Sequence, residues 1–183
     1  MGLSLGGMIA QELALKYPQR VRSLILADTT ARPYSLCNCV VNAWVGMRQE
    51  DVSPETIIRS ELPWLFTDKF FEKPQQVQEA IDNLLANPYP QPAYAYARQA
   101  TAAAGHDSQD RITQITAPTT VLVGKEEILL PVKLSEELAK GIPNAELVLI
   151  EGGGHVSCSE IPDKFNQAVL EFLAKVEKIE RRR

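Results

Sequence analysis

The chain has 183 residues, 45% of them hydrophobic and 23% charged, so it can bury a core of its own. Its formal net charge of −4 argues against nucleic acid or an anionic membrane as the main partner. No apolar run is long enough for a membrane span, and three cysteines favour a reducing cytoplasm over a disulfide framework. We therefore expect a cytoplasmic protein whose partner is a small molecule.

The amino-terminal segment MGLSLGG contains the pattern G-x-S-x-G. Between a strand and a helix this pattern forms a sharp turn that exposes a nucleophilic serine, here Ser4. Such a serine has a positive φ, so the positions two residues before and two residues after it must lack side chains to avoid a collision. Gly2 and Gly6 meet this requirement. Gly7 would then let the following helix, predicted at Gly6–Tyr17, pack closely.

Only Met1 precedes this motif, although such a turn needs a buried strand leading into it. The sequence is therefore interpreted as the back part of a longer protein. The strand predicted at Val21–Ala27 would then be an exposed apolar edge, which is an aggregation hazard. We expect the chain to be poorly stable and weakly active by itself.

The pattern of the sequence changes over residues 31–116, where no strand-like alternation occurs. Helices are predicted there at Ser35–Met47, Pro54–Leu65, Gln75–Leu85 and Ala93–Ala104. We interpret the segment as a helical insertion between two strands, placed as a lid over an active site would be. Its candidates for the apolar wall of a substrate pocket are Trp44, Trp64, Phe70 and Phe71. The alternative is that its aromatic side chains simply hold the helices together.

An α/β alternation resumes after Pro118. Strands are predicted at Thr119–Val123 and Ala145–Ile150, and helices at Pro131–Lys140 and Pro162–Glu180. The order of elements indicates an α/β fold with a parallel sheet, of which three strands lie in this chain. Residues 1–30 and 117–183 would form the core, and residues 31–116 the lid.

The predicted strand ends carry the three groups that nucleophilic hydrolysis needs: a serine, a histidine and an acid. Ser4 is the candidate nucleophile. His155 is the candidate base, because it follows a buried strand and three glycines that let the chain turn. Glu127 is the preferred acid and Glu126 the second choice, although chemistry alone does not rank neighbours in a loop. Asp28 is a third option, but it is better explained as a turn cap at the start of the insertion.

Other reactive residues receive structural interpretations. His106, near the end of the insertion, is expected to pack within the lid or lie at the surface. Cys37 and Cys39 lack a second pair of ligands for a metal site. Cys158 is interpreted as a small buried thiol rather than a nucleophile. The sequence shows no metal, phosphate-loop or dinucleotide pattern, so no cofactor is expected.

Four segments, in this order, resemble the α/β-hydrolase superfamily, in its lidded branch with enol-lactonase-like, esterase-like and cofactor-free peroxidase-like members. They are GLSLGGMIAQELALKYPQRVRSLILADT, APTTVLVGKEEILLPV, IPNAELVLIEGGGH and IPDKFNQAVLEFL. The resemblance covers nearly the whole chain and implies the C-terminal part of an α/β-hydrolase fold. It implies Ser4 as nucleophile and His155 as base. It singles out Glu127, because the acid of the family usually stands three residues after the glycine that ends the strand. It also implies that the backbone N–H of Leu5 helps to bind an oxyanion.

The resemblance implies a serine hydrolase that acts on a small ester, lactone or related carbonyl compound through an acyl-enzyme. Alternatives within the family are peroxide chemistry and hydrolysis of a carbon–carbon bond on the same three residues. A ligand-binding module and an inert fragment of this fold are alternatives of a different kind.

Overall fold

The computed structural model describes residues 1–181, except for the side chains of residues 179 and 180. Within these residues a parallel sheet has four strands in the order β1-β2-β3-β4. They are β1 (Gly2–Leu3), β2 (Leu24–Ala27), β3 (Thr119–Gly124) and β4 (Glu146–Ile150). The predicted α/β fold with a parallel sheet is confirmed, but the predicted count of three strands omitted β1, whose two residues are too few to show a periodicity.

Helices connect and cover the strands. In chain order they are α1 (Leu5–Lys16), α2 (Ser35–Gln49), α3 (Pro54–Leu65), α4 (Asp68–Phe71), α5 (Pro74–Leu85), α6 (Ala93–Ala104), α7 (Val132–Gly141), α8 (Ser157–Glu160) and α9 (Pro162–Glu180). The predicted helices are present, with their ends shifted by two residues at most. The four-residue helices α4 and α8 were not predicted, because a single turn has no periodicity to detect. Across the described residues, no helix combines the length and the apolar character needed to cross a membrane.

The side chains of β2 and β3 alternate between two apolar cores, one on each face of the sheet. The first core contains Leu24, Leu26 and Val121 together with Ala14 of α1 and Leu138 of α7. The second contains Ile25, Ala27 and Leu122 together with Phe165 and Phe172 of α9. Burial on both faces explains why these strands are continuous apolar runs. Because all strands are parallel, their carboxyl ends lie along one edge of the sheet.

Strand β2 lies inside the sheet. It pairs with β1 through Gly2↔Leu26 and Leu3↔Ala27, it pairs with β3 on its other side, and its residues are all buried. The prediction that this strand would be an exposed apolar edge is therefore wrong, because β1 occupies that position. Exposed apolar side chains lie on α1 instead, where Ile9 is 61% and Leu13 is 47% exposed.

The segment between β2 and β3 contains helices α2 to α6. The start of α3 follows standard capping rules, since the Oγ of Ser53 accepts a hydrogen bond from the Thr56 N–H at 3.2 Å and Pro54 occupies the first turn. Helix α2 packs on α6, and α3 packs on α5. The insertion is thus a set of helices that pack on one another.

Candidate active site

Ser4 lies in the turn between β1 and α1 with φ of 50° and ψ of −120°, a strained conformation for a residue with a side chain. The turn needs Gly2, because a Cβ there would lie 2.1 Å from the carbonyl oxygen of Gly6. It needs Gly7, because a Cβ there would lie 2.6 Å from the side chain of Thr29. Gly6 has open space around it, so the expectation that it must lack a side chain is wrong.

Hydrogen bonds from the end of β2 fix this turn. The N–H of Ser4 donates to the carbonyl oxygen of Ala27 at 2.9 Å, and the hydroxyl of Thr29 donates to the carbonyl oxygen of Ser4 at 2.7 Å. Leu5 begins α1, so its N–H has no acceptor within the helix. Ser4 and Leu5 line the same cleft. A serine side chain and a backbone N–H are therefore presented side by side.

Glu127 and His155 form a buried pair between the end of β3 and the loop after β4. Oε2 of Glu127 lies 2.5 Å from Nδ1 of His155, and the two side chains are 0% and 5% exposed respectively. Oε1 of Glu127 accepts hydrogen bonds from the N–H groups of Leu129 and Leu130, at 2.6 and 3.0 Å. Glu126 is exposed to solvent. Of these two neighbouring acids, the structure brings Glu127 to His155.

The pair sets the protonation of the histidine. Burial by itself would lower the pKa of His155, since it penalises the cation. The hydrogen bond to Glu127 and the negative charges of Glu127 and Asp28 outweigh burial and raise the pKa above its ordinary value. With Nδ1 directed at the carboxylate, Nε2 is the nitrogen left to accept a proton from another group.

Two loops must approach closely to form this pair. A Cβ on Gly124 would lie 2.2 Å from the carbonyl oxygen of Gly153. The N–H of Lys125 donates to the carbonyl oxygen of Ile150 at 3.0 Å, which joins the loop after β3 to the end of β4. Among the three glycines before His155, Gly152 is the one with a positive φ, of 77°. The glycines therefore allow the two loops to approach each other closely, in addition to the turn that the sequence indicated.

Asp28 is fully buried at the end of β2, with φ of 44°. Its Oδ1 accepts a hydrogen bond from the N–H of Gly124 at 2.9 Å, and its Oδ2 accepts one from the hydroxyl of Ser157 at 3.3 Å. The interpretation of Asp28 as a local turn cap is wrong, because these partners lie 96 and 129 residues away in sequence. Burial, opposed by the Gly124 hydrogen bond and reinforced by the charge of Glu127, raises the pKa of Asp28 to about 7.

A cleft of about 590 Å³ lies between the strand ends and the helical insertion. Ser4, Leu5 and His155 line its floor, and Trp44 of α2 lines its wall. Most other lining side chains are apolar, namely Met8, Val41, Pro54, Ile57, Ile58, Leu65, Leu84, Pro90, Ala100, Ala103, Leu129 and Leu130. The cleft thus has an apolar wall around a few polar groups, as ligand sites commonly do.

The other three aromatic candidates lie outside this lining. Phe70 is buried and stacks on Phe66 with ring centroids 4.0 Å apart, while Phe71 meets the edge of Phe70 at 5.4 Å. Trp64 is partly buried and does not line the cleft either. The structure thus places Trp44 in the same cleft as Ser4 and His155, but places Trp64, Phe70 and Phe71 elsewhere in the insertion.

An ion pair in the cleft wall was not anticipated from the sequence. Nη2 of Arg48 lies 2.6 Å from Oε1 of Glu61, and these side chains are 19% and 17% exposed. The Arg48 guanidinium also lies 3.8 Å from the centre of the Tyr96 ring, and all three residues line the cleft. Nothing in the periodicity of α2 and α3 indicates that two charges on separate helices will pair.

Hydrogen bonds join the insertion to the loop that carries His155. The N–H of Val156 donates to the carbonyl oxygen of Leu65 at 3.2 Å. Glu160 also joins the insertion to this loop. Its Oε1 accepts hydrogen bonds from the N–H of Thr67, at 3.1 Å, and from the hydroxyl of Thr67, while its Oε2 accepts one from the N–H of Gly154 at 3.2 Å. The end of α3 is therefore fastened beside the histidine.

The other histidine and two of the free cysteines lie in different surroundings. His106 is largely buried near Glu12 and Ser108, at 3.7 and 3.3 Å. Cys158 is half-buried, and Cys37 lines the cleft. Burial raises the pKa of the Cys37 thiol to about 11, so it is protonated at neutral pH.

The strand order, the strained serine turn and the cleft at the strand ends together define an α/β-type fold with a site where catalysis could occur. The family model for the alpha/beta hydrolase fold matches residues 1–162. The chain belongs to the α/β-hydrolase family.

Two curated relatives of the chain bear the same name. The chain is 28% identical over 179 residues to "Putative carbamate hydrolase RutD" of Azorhizobium caulinodans, a match that covers 96% of this chain and 66% of that protein. A protein of the same name from Variovorax paradoxus is 29% identical over 177 residues, with 65% of its length covered. The chain thus spans slightly less than two thirds of the length of these curated relatives.

Solved structures share the fold. A structure named "Putative non-heme bromoperoxidase BpoC", from Mycobacterium tuberculosis, superimposes with a TM-score of 0.83 at 26% identity, covering 96% of this chain and 66% of that one. A thermophilic esterase from Thermogutta terrifontis gives 0.80 at 32% identity, covering 96% and 64%. The enol-lactonase from Burkholderia xenovorans gives 0.82 at 25% identity, covering 94% and 64%. The expected resemblance to this superfamily, with enol-lactonase-like neighbours, is confirmed.

Proposed function

We propose that the protein is a serine hydrolase of small esters, lactones or related carbonyl compounds, and that it acts through an acyl-enzyme. The observation that carries this proposal is the 2.5 Å contact between Glu127 and His155 at the floor of the cleft that Ser4 also lines. Three strand ends supply these residues in the order serine, acid, histidine, as α/β-hydrolases do.

In this mechanism Ser4 attacks the carbonyl carbon of the substrate while Nε2 of His155 takes the serine proton. Glu127 keeps Nδ1 protonated and directed at itself, and it stabilises the imidazolium that forms. The N–H of Leu5 donates to the developing oxyanion. His155 then protonates the leaving alcohol, and a water molecule, deprotonated by the same nitrogen, hydrolyses the acyl-enzyme and releases the acid.

The insertion would select the substrate. Residues 31–116 supply most of the apolar wall of the cleft, including Trp44, so we propose that they act as a lid and that residues 1–30 and 117–183 form the catalytic core. A wall of this kind suits a substrate with an apolar acyl or alcohol part. The names of the relatives extend the carbonyl class to carbamates as well as esters and lactones. Free cysteines at 37, 39 and 158 accord with a cytoplasmic location, which we retain as part of the proposal.

A second candidate is peroxide chemistry on the same three residues. The name of the bromoperoxidase structure, at 26% identity, favours it. It predicts that hydrogen peroxide competes with water for the acyl-enzyme, so a carboxylic ester plus peroxide yields a peracid. A peracid yield that remains negligible while ester hydrolysis proceeds would contradict this candidate.

The primary test is covalent labelling of the chain with a fluorophosphonate, with the modified residue located by mass spectrometry. We expect labelling at Ser4, its loss in Ser4→Ala, and a rate at least about 1,000-fold slower in His155→Ala. Ser159→Ala is the matched control, because Ser159 is exposed and near the same loop. Labelling at another residue such as Cys158, with Ser4 unmodified, would contradict the mechanism.

The substrate class is tested by comparing kcat/KM for short-chain esters, lactones and carbamates that share one apolar group. The proposal expects turnover of at least one class that depends on Ser4. Tight retention of these compounds without turnover would indicate a ligand-binding module instead.

A further inference from the structure

The carboxylate of Asp28 occupies a position that the proposed reaction does not use. It is fully buried, and its two hydrogen bonds go to Gly124 and Ser157. Gly124 stands three residues before Glu127, and Ser157 stands two residues after His155. The side chain of Asp28 therefore binds both the loop that carries Glu127 and the loop that carries His155.

We propose that Asp28 is a positioning residue that fixes the two loops to each other and whose negative charge stabilises the cation of His155. This inference rests on the proposed function, in which His155 becomes a cation during the reaction. It assigns no contact between Asp28 and the substrate.

The backbone explains how Asp28 came to this position. The parallel pairing of β2 and β3 ends with Ala27↔Leu122, and the N–H of Asp28 still donates to the carbonyl oxygen of Leu122 at 2.9 Å. At Asp28 the positive φ of 44° turns the chain out of the strand. The side chain then supplies an acceptor for the N–H of Gly124, in place of the next backbone carbonyl of the ladder. The sheet is thereby extended to the start of the loop that carries Glu127.

Hydrogen bonding alone does not call for an acid here. An asparagine would offer the same carbonyl acceptor to Gly124, and its amide could donate to the Ser157 hydroxyl, without the penalty of a buried charge. An aspartate is costly in this setting, since burial and the neighbouring carboxylate of Glu127 both oppose its ionisation. The charged groups that act on Asp28 are Glu127 and His155.

His155 is the group that compensates this charge. The charge of Asp28 raises the pKa of His155, and the cation of His155 favours the ionised form of Asp28. Because Ser4 transfers its proton to His155 in the transition state, the ionised carboxylate stabilises the transition state more than the ground state. Glu127 orients the imidazole, while Asp28 adds a second negative charge behind the pair.

The first test measures the coupling between Asp28 and His155 without any substrate. The chain has two histidines, so NMR titration of 13C- or 15N-labelled histidine yields two curves, and His106→Gln identifies that of His155. We expect Asp28→Asn to lower the pKa of His155 and to leave that of His106 in place. An unchanged pKa of His155 in folded Asp28→Asn would overturn the proposal.

The second test is the pH dependence of the fluorophosphonate reaction. In the wild type both His155 and Asp28 must lose a proton for full activity, so the acid limb should be steeper than the slope of one that a single ionisation gives. In Asp28→Asn the acid limb should have a slope of one and lie at lower pH. The plateau rate of labelling should be about tenfold lower, while the KM measured separately with a substrate should change little. A purely structural role predicts parallel profiles, and parallel profiles would overturn the proposal.

A milder variant keeps the proposal testable if Asp28→Asn does not fold. The hydroxyl of Ser157 lowers the pKa of Asp28, so Ser157→Ala should move the acid limb to higher pH while the carboxylate remains. An acid limb that does not move would contradict the role of Asp28. Failure of the wild type to label at Ser4 would instead contradict the proposed function, and the histidine titration would still decide whether the two groups are coupled.

Discussion

Oε2 of Glu127 lies 2.5 Å from Nδ1 of His155, and the other oxygen of the same carboxylate is held by two successive backbone N–H groups. The backbone thus fixes one oxygen of the carboxylate while the other oxygen contacts the imidazole. The extra methylene of a glutamate, compared with aspartate, is accommodated by this loop geometry. The orientation of His155 therefore depends on the length of the side chain as well as on its charge.

Glu127→Gln should reduce the rate of fluorophosphonate labelling by about 10⁴-fold, because a neutral amide neither fixes the imidazole tautomer nor stabilises the cation. Glu127→Asp should give a smaller loss, since the charge remains but the reach to His155 shortens. The labelling rates at pH 8, measured beside the melting temperatures, check both. A rate for Glu127→Gln within tenfold of the wild type would show that Glu127 is not the orienting acid.

Asp28→Asn should stabilise the protein in alkaline solution. The pKa of Asp28 is raised from its ordinary value of 3.8 to about 7, so the folded state resists ionisation that the unfolded state undergoes freely. The stability that this group contributes is complete below about pH 4 and is lost as the pH rises to about 7. The variant should therefore be more stable by about 2–4 kcal/mol at pH 8 and nearly unchanged at pH 4.

Denaturant unfolding at several pH values measures this difference. An advantage of Asp28→Asn that stays constant between pH 4 and pH 8 would show that the effect does not come from ionisation. Together with the kinetic loss expected for the same variant, a gain in stability would identify Asp28 as a residue retained for function at a cost to the fold.

Gly124→Ala and Gly6→Ala form a matched pair of substitutions. A methyl group at Gly124 would lie 2.2 Å from the carbonyl oxygen of Gly153, so the loops that carry Glu127 and His155 would separate. We expect a loss of about 2–4 kcal/mol in the free energy of unfolding and a large loss of labelling. Gly6 lies in the first turn of α1 with no atom near its Cβ position, so alanine should stabilise by about 0.5–1 kcal/mol.

Thermal melts of the two variants at one pH compare them directly. If Gly6→Ala proved as damaging as Gly124→Ala, the space that the structure shows around Gly6 would be in error. If Gly124→Ala had the same melting temperature as the wild type, close contact of the two loops would not be required for stability.

Arg48→Met should destabilise the protein by about 3 kcal/mol, because it leaves the carboxylate of Glu61 unpaired in an apolar wall. Burial already raises the pKa of Glu61 against the effect of Arg48, so Glu61 should become neutral more readily in the variant. The double variant Arg48→Met with Glu61→Leu should recover most of the loss. Melting temperatures of the two single variants and the double variant complete the cycle, and simple additivity would contradict the pairing.

Much of the fold follows from local pattern. Buried strands, helices and their order come from periodicity and breakers, and most helix ends agree within a residue or two. The candidates Ser4 and His155 agree with the rule that groups after parallel strands share one edge, but this rule leaves Glu126 and Glu127 unranked. Only the resemblance to the family selects Glu127. Strand β1 and helix α4 were missed because segments of two and four residues carry no periodic signal.

The rest of the site depends on contacts between distant parts of the chain. The partners of Asp28 lie 96 and 129 residues away, and no spacing rule connects them. The direction of an aromatic side chain in the insertion depends on where a helix ends. Phe66 lies between α3 and α4 and stacks on Phe70 of α4, and neither ring lines the cleft.

The contact between the insertion and the histidine loop bears on the construction of chimeric proteins. The carbonyl oxygen of Leu65 and the donors of Thr67 belong to the insertion, but their partners Val156 and Glu160 belong to the segment around His155. A helical segment transplanted from a relative must reproduce these two positions, or it will disturb His155 along with the cleft. The natural unit of exchange therefore includes residues 154–160 as well as the helices above them.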